Sequence, residues 1–183
     1  MPQFNDRMRL LDKDFELFVT QQEIESAIAR IAQEISRDYG EKCPLFVGVL
    51  NGCFRFSGEF FKHYNGACEV SFVKMASYQG LTSTGIVETL LDVSASVDGR
   101  DIVILEDIVD SGRTLQQLVN HFADKNINSF KIATLFYKPA AYTKEYEVAY
   151  KGIELPNEFV VGYGLDYNER GRELNDLYIL SSR

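Results

Sequence analysis

Three carboxylates crowd the stretch VILEDIVDSGRTL, residues 103–115: Glu106, Asp107 and Asp110. Like charges this close repel, so an aliphatic run has no folding reason to end among them. One acid could cap the helix that follows by accepting from its first N–H groups. A cap uses one carboxylate and leaves two. Adjacent acids such as Glu106 and Asp107 suit a hard cation or the hydroxyl groups of a ligand. Directly behind them, Asp110-Ser111-Gly112-Arg113-Thr114 joins the run to a helical pattern. Backbone N–H groups at a helix start lack internal partners, and the helix dipole is positive there. Ser111 and Thr114 add hydroxyl donors, and Gly112 lets a ligand come close. The loop therefore has the makings of a phosphate cradle. A ligand carrying phosphate, a sugar diol and Mg²⁺ would satisfy cradle and acids together. Neither G-x-x-x-x-G-K-[ST] nor G-x-G-x-x-G occurs in the chain.

The elements that must hold this loop read as alternating strands and helices. Thr20 and Glu23 have capping-box spacing. Ile24, Ala27, Ile28, Ile31, Ala32 and Ile35 follow as one apolar stripe, and Gly40 supplies a stop. PLFVGVL (44–50) is apolar throughout, as a strand buried on both faces should be. CFRFSGEFFKHY reads as a helix and CEVSFVKM (68–75) as a strand. ASYQGLTSTG then loses all periodicity, a loop of the length that covers sites. IVETLLDV resumes as a strand, DIVILE (101–106) as a buried one, and GRTLQQLVNHFADK (112–125) as a helix with Leu115, Leu118, Val119 and Phe122 on one face. SFKIATLFY and LYIL are further strands. The alternation predicts one α/β domain over residues 1–183 with a mainly parallel sheet. Ligands in such sheets sit beyond the carboxyl ends of the strands, where the acid cluster lies.

The bulk properties narrow the classes. A hydrophobic share of 45% in 183 residues supports a real core, and a net charge of −8 argues against a broad nucleic-acid-binding face. Cys43, Cys53 and Cys68 form no Cys-x-x-Cys pair, so free thiols in a reducing cytoplasm are expected. The first residues carry no apolar leader and no run is long enough to span a membrane, which points to a cytoplasmic protein. Taken singly, other residues look ordinary. Lys138 precedes a proline and reads as an exposed lysine, Phe159 as a core aromatic, and Asp166 and Arg172 as surface charges on a polar turn. His63 and His121 have no metal-ligand spacing. Tyr142, Tyr146 and Tyr150 fit either packing or a subunit interface.

An apolar strand followed by Glu-Asp, two aliphatics and Asp-Ser-Gly-x-Thr resembles the phosphoribosyl-diphosphate (PRPP) signature of type I phosphoribosyltransferases, and 103–115 matches it at every position. SFKIATLFYKP and FVVGYGLDYNERGREL resemble the purine-salvage branch, which acts on hypoxanthine, or on hypoxanthine and guanine. The likeness runs from about residue 15 to the end. It implies a central parallel sheet flanked by helices, with a small hood formed by the chain ends. The implied reaction moves the 5-phosphoribosyl group from PRPP to the base, giving IMP or GMP and pyrophosphate, with Mg²⁺ as cofactor.

The likeness also implies roles. Asp110 would face purine N7 as general base. Glu106 and Asp107 would meet the ribose hydroxyls, directly or through Mg²⁺, and Ser111, Gly112, Arg113 and Thr114 would hold the 5′-phosphate. Lys138 would donate to the 6-oxo group, Phe159 would stack on the base and the Val160 backbone would bond its edge. Asp166 would bind a second Mg²⁺, and Arg172, with Asn51 and Gly52, would hold pyrophosphate. Ser77 and Tyr78 would belong to a closing lid. The Leu50–Asn51 bond would be cis. One departure is Asn51, where the family often has a basic residue; Arg55 is near enough in sequence to compensate. A homodimer or homotetramer is implied. Two other readings keep the PRPP site: an RNA-binding, nucleotide-sensing regulator, which would need a basic face, and an enzyme preferring xanthine or guanine.

Overall fold

The computed structural model describes residues 7–75 and 89–181. The expected lid residues Ser77 and Tyr78 lie outside the described residues. The large sheet contains β3 (Leu45–Val49), β4 (Glu69–Met75), β5 (Thr89–Leu91), β6 (Asp101–Val109), β7 (Ser129–Tyr137) and β8 (Tyr150–Glu154), in the order β5-β4-β3-β6-β7-β8. Five strands are parallel and the edge strand β5 is antiparallel to β4. The expected parallel α/β architecture is therefore observed.

The apolar runs are continuous because both faces of the sheet are covered. Phe46, Val103 and Leu105 pack with α1 (Gln21–Tyr39) and α2 (Phe54–His63) on one face. Leu45, Val47, Ile102 and Ile104 pack on the other with α3 (Arg113–Ala123). The stripe of α1 is buried at every expected position, and its Thr20–Glu23 capping box forms. On α3, Leu115, Leu118 and Phe122 are buried while Val119 is only partly so.

A second sheet, in the order β1-β2-β10-β9, joins β1 (Arg7–Leu10) and β2 (Lys13–Val19) to β9 (Val160–Val161) and β10 (Leu177–Leu180). This is the hood built from both chain ends. Its strands β1, β2 and β9, like β8 of the main sheet, were not anticipated as strands. Polar residues interrupt β1 and β2, and β9 is two residues long, so the pairing that makes them strands is tertiary.

The strand carrying the acids runs to Val109, three residues beyond its expected end at Glu106. Its pairing explains why. Against β7 the ladder continues through Val109↔Tyr137, but against β3 it stops at Gly48↔Leu105. Glu106 and Asp107 thus stand where β6 keeps one neighbour and loses the other. The chain leaves β3 toward β4 and leaves β6 toward β7, so this gap is the point where strand order reverses and open α/β sheets bind ligands. The strand expected around IVETLLDV contributes only the short β5 to the described residues.

Candidate active site

Ten residues, Glu106 to Leu115, line one cavity of about 240 Å³ at the carboxyl end of β6. Glu106 is 5% exposed, and its Oε2 has no hydrogen-bond partner. Burial, reinforced by the neighbouring Asp107 charge, holds its carboxyl well above the usual range. Burial likewise lifts Asp107 to about 6, against an N–H donated by Ile108 at 2.8 Å and the nearby Arg172 guanidinium, which both favour its charge. A buried carboxylate oxygen without a donor is a lone pair kept for something outside the protein. Hard oxygen donors of this kind fit Mg²⁺. Among the described residues no group of three His, Cys, Asp or Glu could hold a metal by itself. That suits an ion which takes one or two carboxylates and completes its shell with substrate oxygens and water.

Asp110 follows, its side chain half exposed, and its Oδ2 lies 3.1 Å from the Lys138 ammonium. Lys138 is not the surface lysine its letters suggest. It is 5% exposed, and its backbone N–H donates to Val109 O at 2.9 Å as β7 ends beside β6. Parallel pairing sets this adjacency across 28 residues of chain. The loop then turns at Gly112, whose φ of 79° is left-handed, and α3 starts at Arg113 with no side-chain cap. The orphan N–H groups of the first turn are thereby left for a ligand.

The expected pyrophosphate loop meets the acids from the other side of the gap. Leu50–Asn51 is a cis peptide bond. Gly52 is pressed against Asp107: a Cβ on it would lie 1.5 Å from Asp107 Oδ2. The 162–172 turn closes the same corner. Arg172 pairs with Asp166 at 2.7 Å and donates to Gly164 O at 2.9 Å. Both Arg172 and Asp166 act electrostatically on Asp107. Asp107, Asp166, Arg172 and Gly52 therefore gather in one place from four parts of the chain.

Phe159 and Val160 belong to the hood and do not line the acid cavity. Val160 is 5% exposed, whereas Phe159 is 42% exposed and so is not a core aromatic. Its ring sits 6.3 Å from that of Phe15 and 5.8 Å from that of Tyr167. Arg55 does not replace the missing base at Asn51. It donates to the carbonyls of Glu173 and Leu174 at 2.6 and 2.8 Å and lies over the Tyr163 ring. The reason is α2, whose first turn aims Arg55 at the segment before β10. His63 and His121 pair with Glu59 and Asp92, away from the acid cavity. The cysteines are free, and burial raises the Cys53 thiol to about 12, so it stays protonated.

The sequence reading missed the segment after Lys138. Tyr142 and Lys144 lie against Gly112, and Tyr146 accepts from Gln116 of α3 at 2.6 Å. The tyrosines at 142 and 146 are thus packing residues of the phosphate loop; their abundance was the available signal. Among the described residues no helix is long and apolar enough to cross a membrane.

Comparison with known proteins gives concordant results. The phosphoribosyl transferase domain family matches residues 17–168. A hypoxanthine-guanine phosphoribosyltransferase of Streptococcus pyogenes is 41% identical over 167 residues, covering 90% of this chain and 93% of that protein. The crystal structure of a hypoxanthine-guanine phosphoribosyltransferase from Bacillus anthracis superposes with a TM-score of 0.84 at 29% identity, covering 91% of this chain and 98% of the other. That of a hypoxanthine phosphoribosyltransferase from Staphylococcus aureus gives 0.83 at 33% identity, covering 91% of each.

Proposed function

Because the chain belongs to the phosphoribosyl transferase family, we propose that it is a purine-salvage enzyme acting as one unit over residues 1–183. It transfers the 5-phosphoribosyl group of PRPP to hypoxanthine, and to guanine, releasing pyrophosphate. The observation that carries this reading is the Asp110–Lys138 pair, 3.1 Å apart beside the phosphate loop. A base with a 6-oxo group and an N7 proton presents an acceptor to Lys138 and a donor to Asp110. Adenine carries a 6-amino group in place of that acceptor, and Lys138, a donor only, rejects it.

In this mechanism the amides and hydroxyls of residues 111–114 hold the 5′-phosphate. Glu106 and Asp107 take the ribose hydroxyls and are the residues that would hold one Mg²⁺; Asp166 would hold a second. A metal held there would supply positive charge to offset the charge of the departing pyrophosphate. Arg172 and the Asn51–Gly52 backbone grip the same group, which an Arg fork does well. Phe159 stacks on the base and the Val160 backbone bonds its edge. Asp110 removes the N7 proton as the new bond forms. The acids also favour positive charge developing on the sugar carbon. Ser77 and Tyr78 are assigned to a cover that excludes water. The chain assembles at least as a dimer, with the exposed Phe54 at the start of α2 as an anchor.

The test is nucleotide formation from PRPP, Mg²⁺ and each of hypoxanthine, guanine, xanthine and adenine, repeated with a chelator. IMP and GMP should form, adenine should be inert, and chelation should stop turnover. A chain that binds PRPP yet makes no nucleotide from any base would refute the reading.

A further inference from the structure

Building on the PRPP-transferase reading, the geometry points to Lys144 as an additional 5′-phosphate-binding residue. The phosphate loop has a charge problem. Residues 106–114 contain three acids and one base, Arg113, whose side chain is exposed. Lys138 and Arg172, the other nearby cations, are already paired with Asp110 and Asp166. A dianionic phosphate entering this loop gains from a further cation. Lys144 is the half-buried candidate. A Cβ on Gly112 would lie 2.7 Å from Lys144 Cγ, so the lysine stem crosses directly over the turning residue of the cradle. Its ammonium has three more bonds of reach from that point. Among the described residues it forms no ion pair or hydrogen bond.

The surroundings hold the stem in place. Tyr142 Cε2 would meet the same Gly112 Cβ at 2.6 Å. The Tyr142 hydroxyl donates to Tyr146 O at 2.6 Å, and Gln116 of α3 donates to the Tyr146 hydroxyl at 2.6 Å. The segment is thus clamped to the helix whose N-terminus faces the phosphate. It starts at Lys138, whose carbonyl accepts from the Ala141 and Tyr142 N–H groups, both at 3.1 Å. One short stretch of chain therefore carries both the base-reading lysine and a phosphate-reading lysine. A side chain that only packed would need the stem and no charge. An ammonium without a partner, on a stem anchored over the cradle's turning residue and long enough to reach toward its rim, has a use once the anion arrives.

The experiment titrates IMP, inosine and pyrophosphate by calorimetry into wild type, K144M and K144R, and measures KM for PRPP and for hypoxanthine. Met keeps the stem on Gly112 and removes the charge. K144M should weaken IMP binding and raise the PRPP KM about tenfold, the usual worth of one charge-assisted hydrogen bond. Inosine and pyrophosphate affinities, hypoxanthine KM and kcat should stay within about twofold, and K144R should restore most of the loss. Unchanged IMP affinity in K144M, or equal weakening of IMP and inosine, overturns the inference. Failure of the wild type to form IMP while IMP binding still depends on Lys144 would instead sink the enzymatic reading and leave this one standing.

Discussion

The Nζ of Lys138 lies 3.1 Å from Oδ2 of Asp110, so the cation assigned to the purine 6-oxo group and the carboxylate assigned to N7 are already paired. Lys138 is buried while Asp110 is half exposed. The buried lysine depends on that carboxylate for its charge partner, and the carboxylate is the member within easier reach of a ligand. Removing either should therefore have different consequences.

Asp110→Asn should keep the fold and PRPP binding and lower kcat by roughly 10²–10⁴, the range expected for loss of a general base. Steady-state kinetics beside PRPP binding by calorimetry checks this. Unchanged turnover removes Asp110 from the proton transfer.

Lys138→Ala should raise the KM of the purine far more than that of PRPP, because the phosphate loop does not use this side chain. Equal losses for both substrates would show that the lysine supports the loop rather than reading the base.

Glu106→Gln and Asp107→Asn should each raise the melting temperature of the ligand-free protein while reducing activity. Burial raises both carboxyls, Asp107 to about 6, so their ionised forms destabilise the fold at neutral pH. For Asp107 the cost is on the order of 3 kcal/mol. The folded protein binds more protons than the unfolded chain between about pH 4 and 6, so stability should rise as pH falls from 7 toward 5. Further acidification should reverse the trend. Asp101, held down by Ser129, and Glu59, held down by Lys62, give stability that is present above their unfolded values and lost as they protonate. Thermal melts across pH 4–8 read the curve; a shallower rise in Asp107→Asn between pH 7 and 5 would assign part of it to that residue. A wild-type melting temperature that falls steadily from pH 7 to 5 would contradict the burial argument.

Gly52→Ala should abolish turnover, since the added methyl would occupy the place of Asp107 Oδ2. The loop and the carboxylate cannot both keep their positions. Pyrophosphate inhibition and PRPP affinity should fall together. A fully active variant would mean that the contact between the two segments is dispensable.

The amino-acid sequence by itself determined the parts whose information is local. The helical stripe of α1 and its Thr20 cap, the two-faced apolar runs of β3 and β6, and the strand-turn-helix phosphate loop all follow from residue order over a few turns of chain. The clustering of Glu106, Asp107 and Asp110 was legible for the same reason, and the family likeness added roles. Tertiary structure alone decided which distant residues share the site. Parallel pairing of β6 with β7 buries Lys138 against Asp110. The early end of β3 opens the gap that Gly52 and Arg172 fill beside Asp107. The hood strands exist only because the two chain ends meet. Arg55 shows the limit of reasoning from nearness in sequence: four residues from Asn51, it is turned by α2 toward Glu173 and Leu174. Lys144 shows the converse, since nothing local places it over Gly112. Pairing and packing are set by contacts between segments far apart in the chain, and their sum, not any short pattern, selects the geometry.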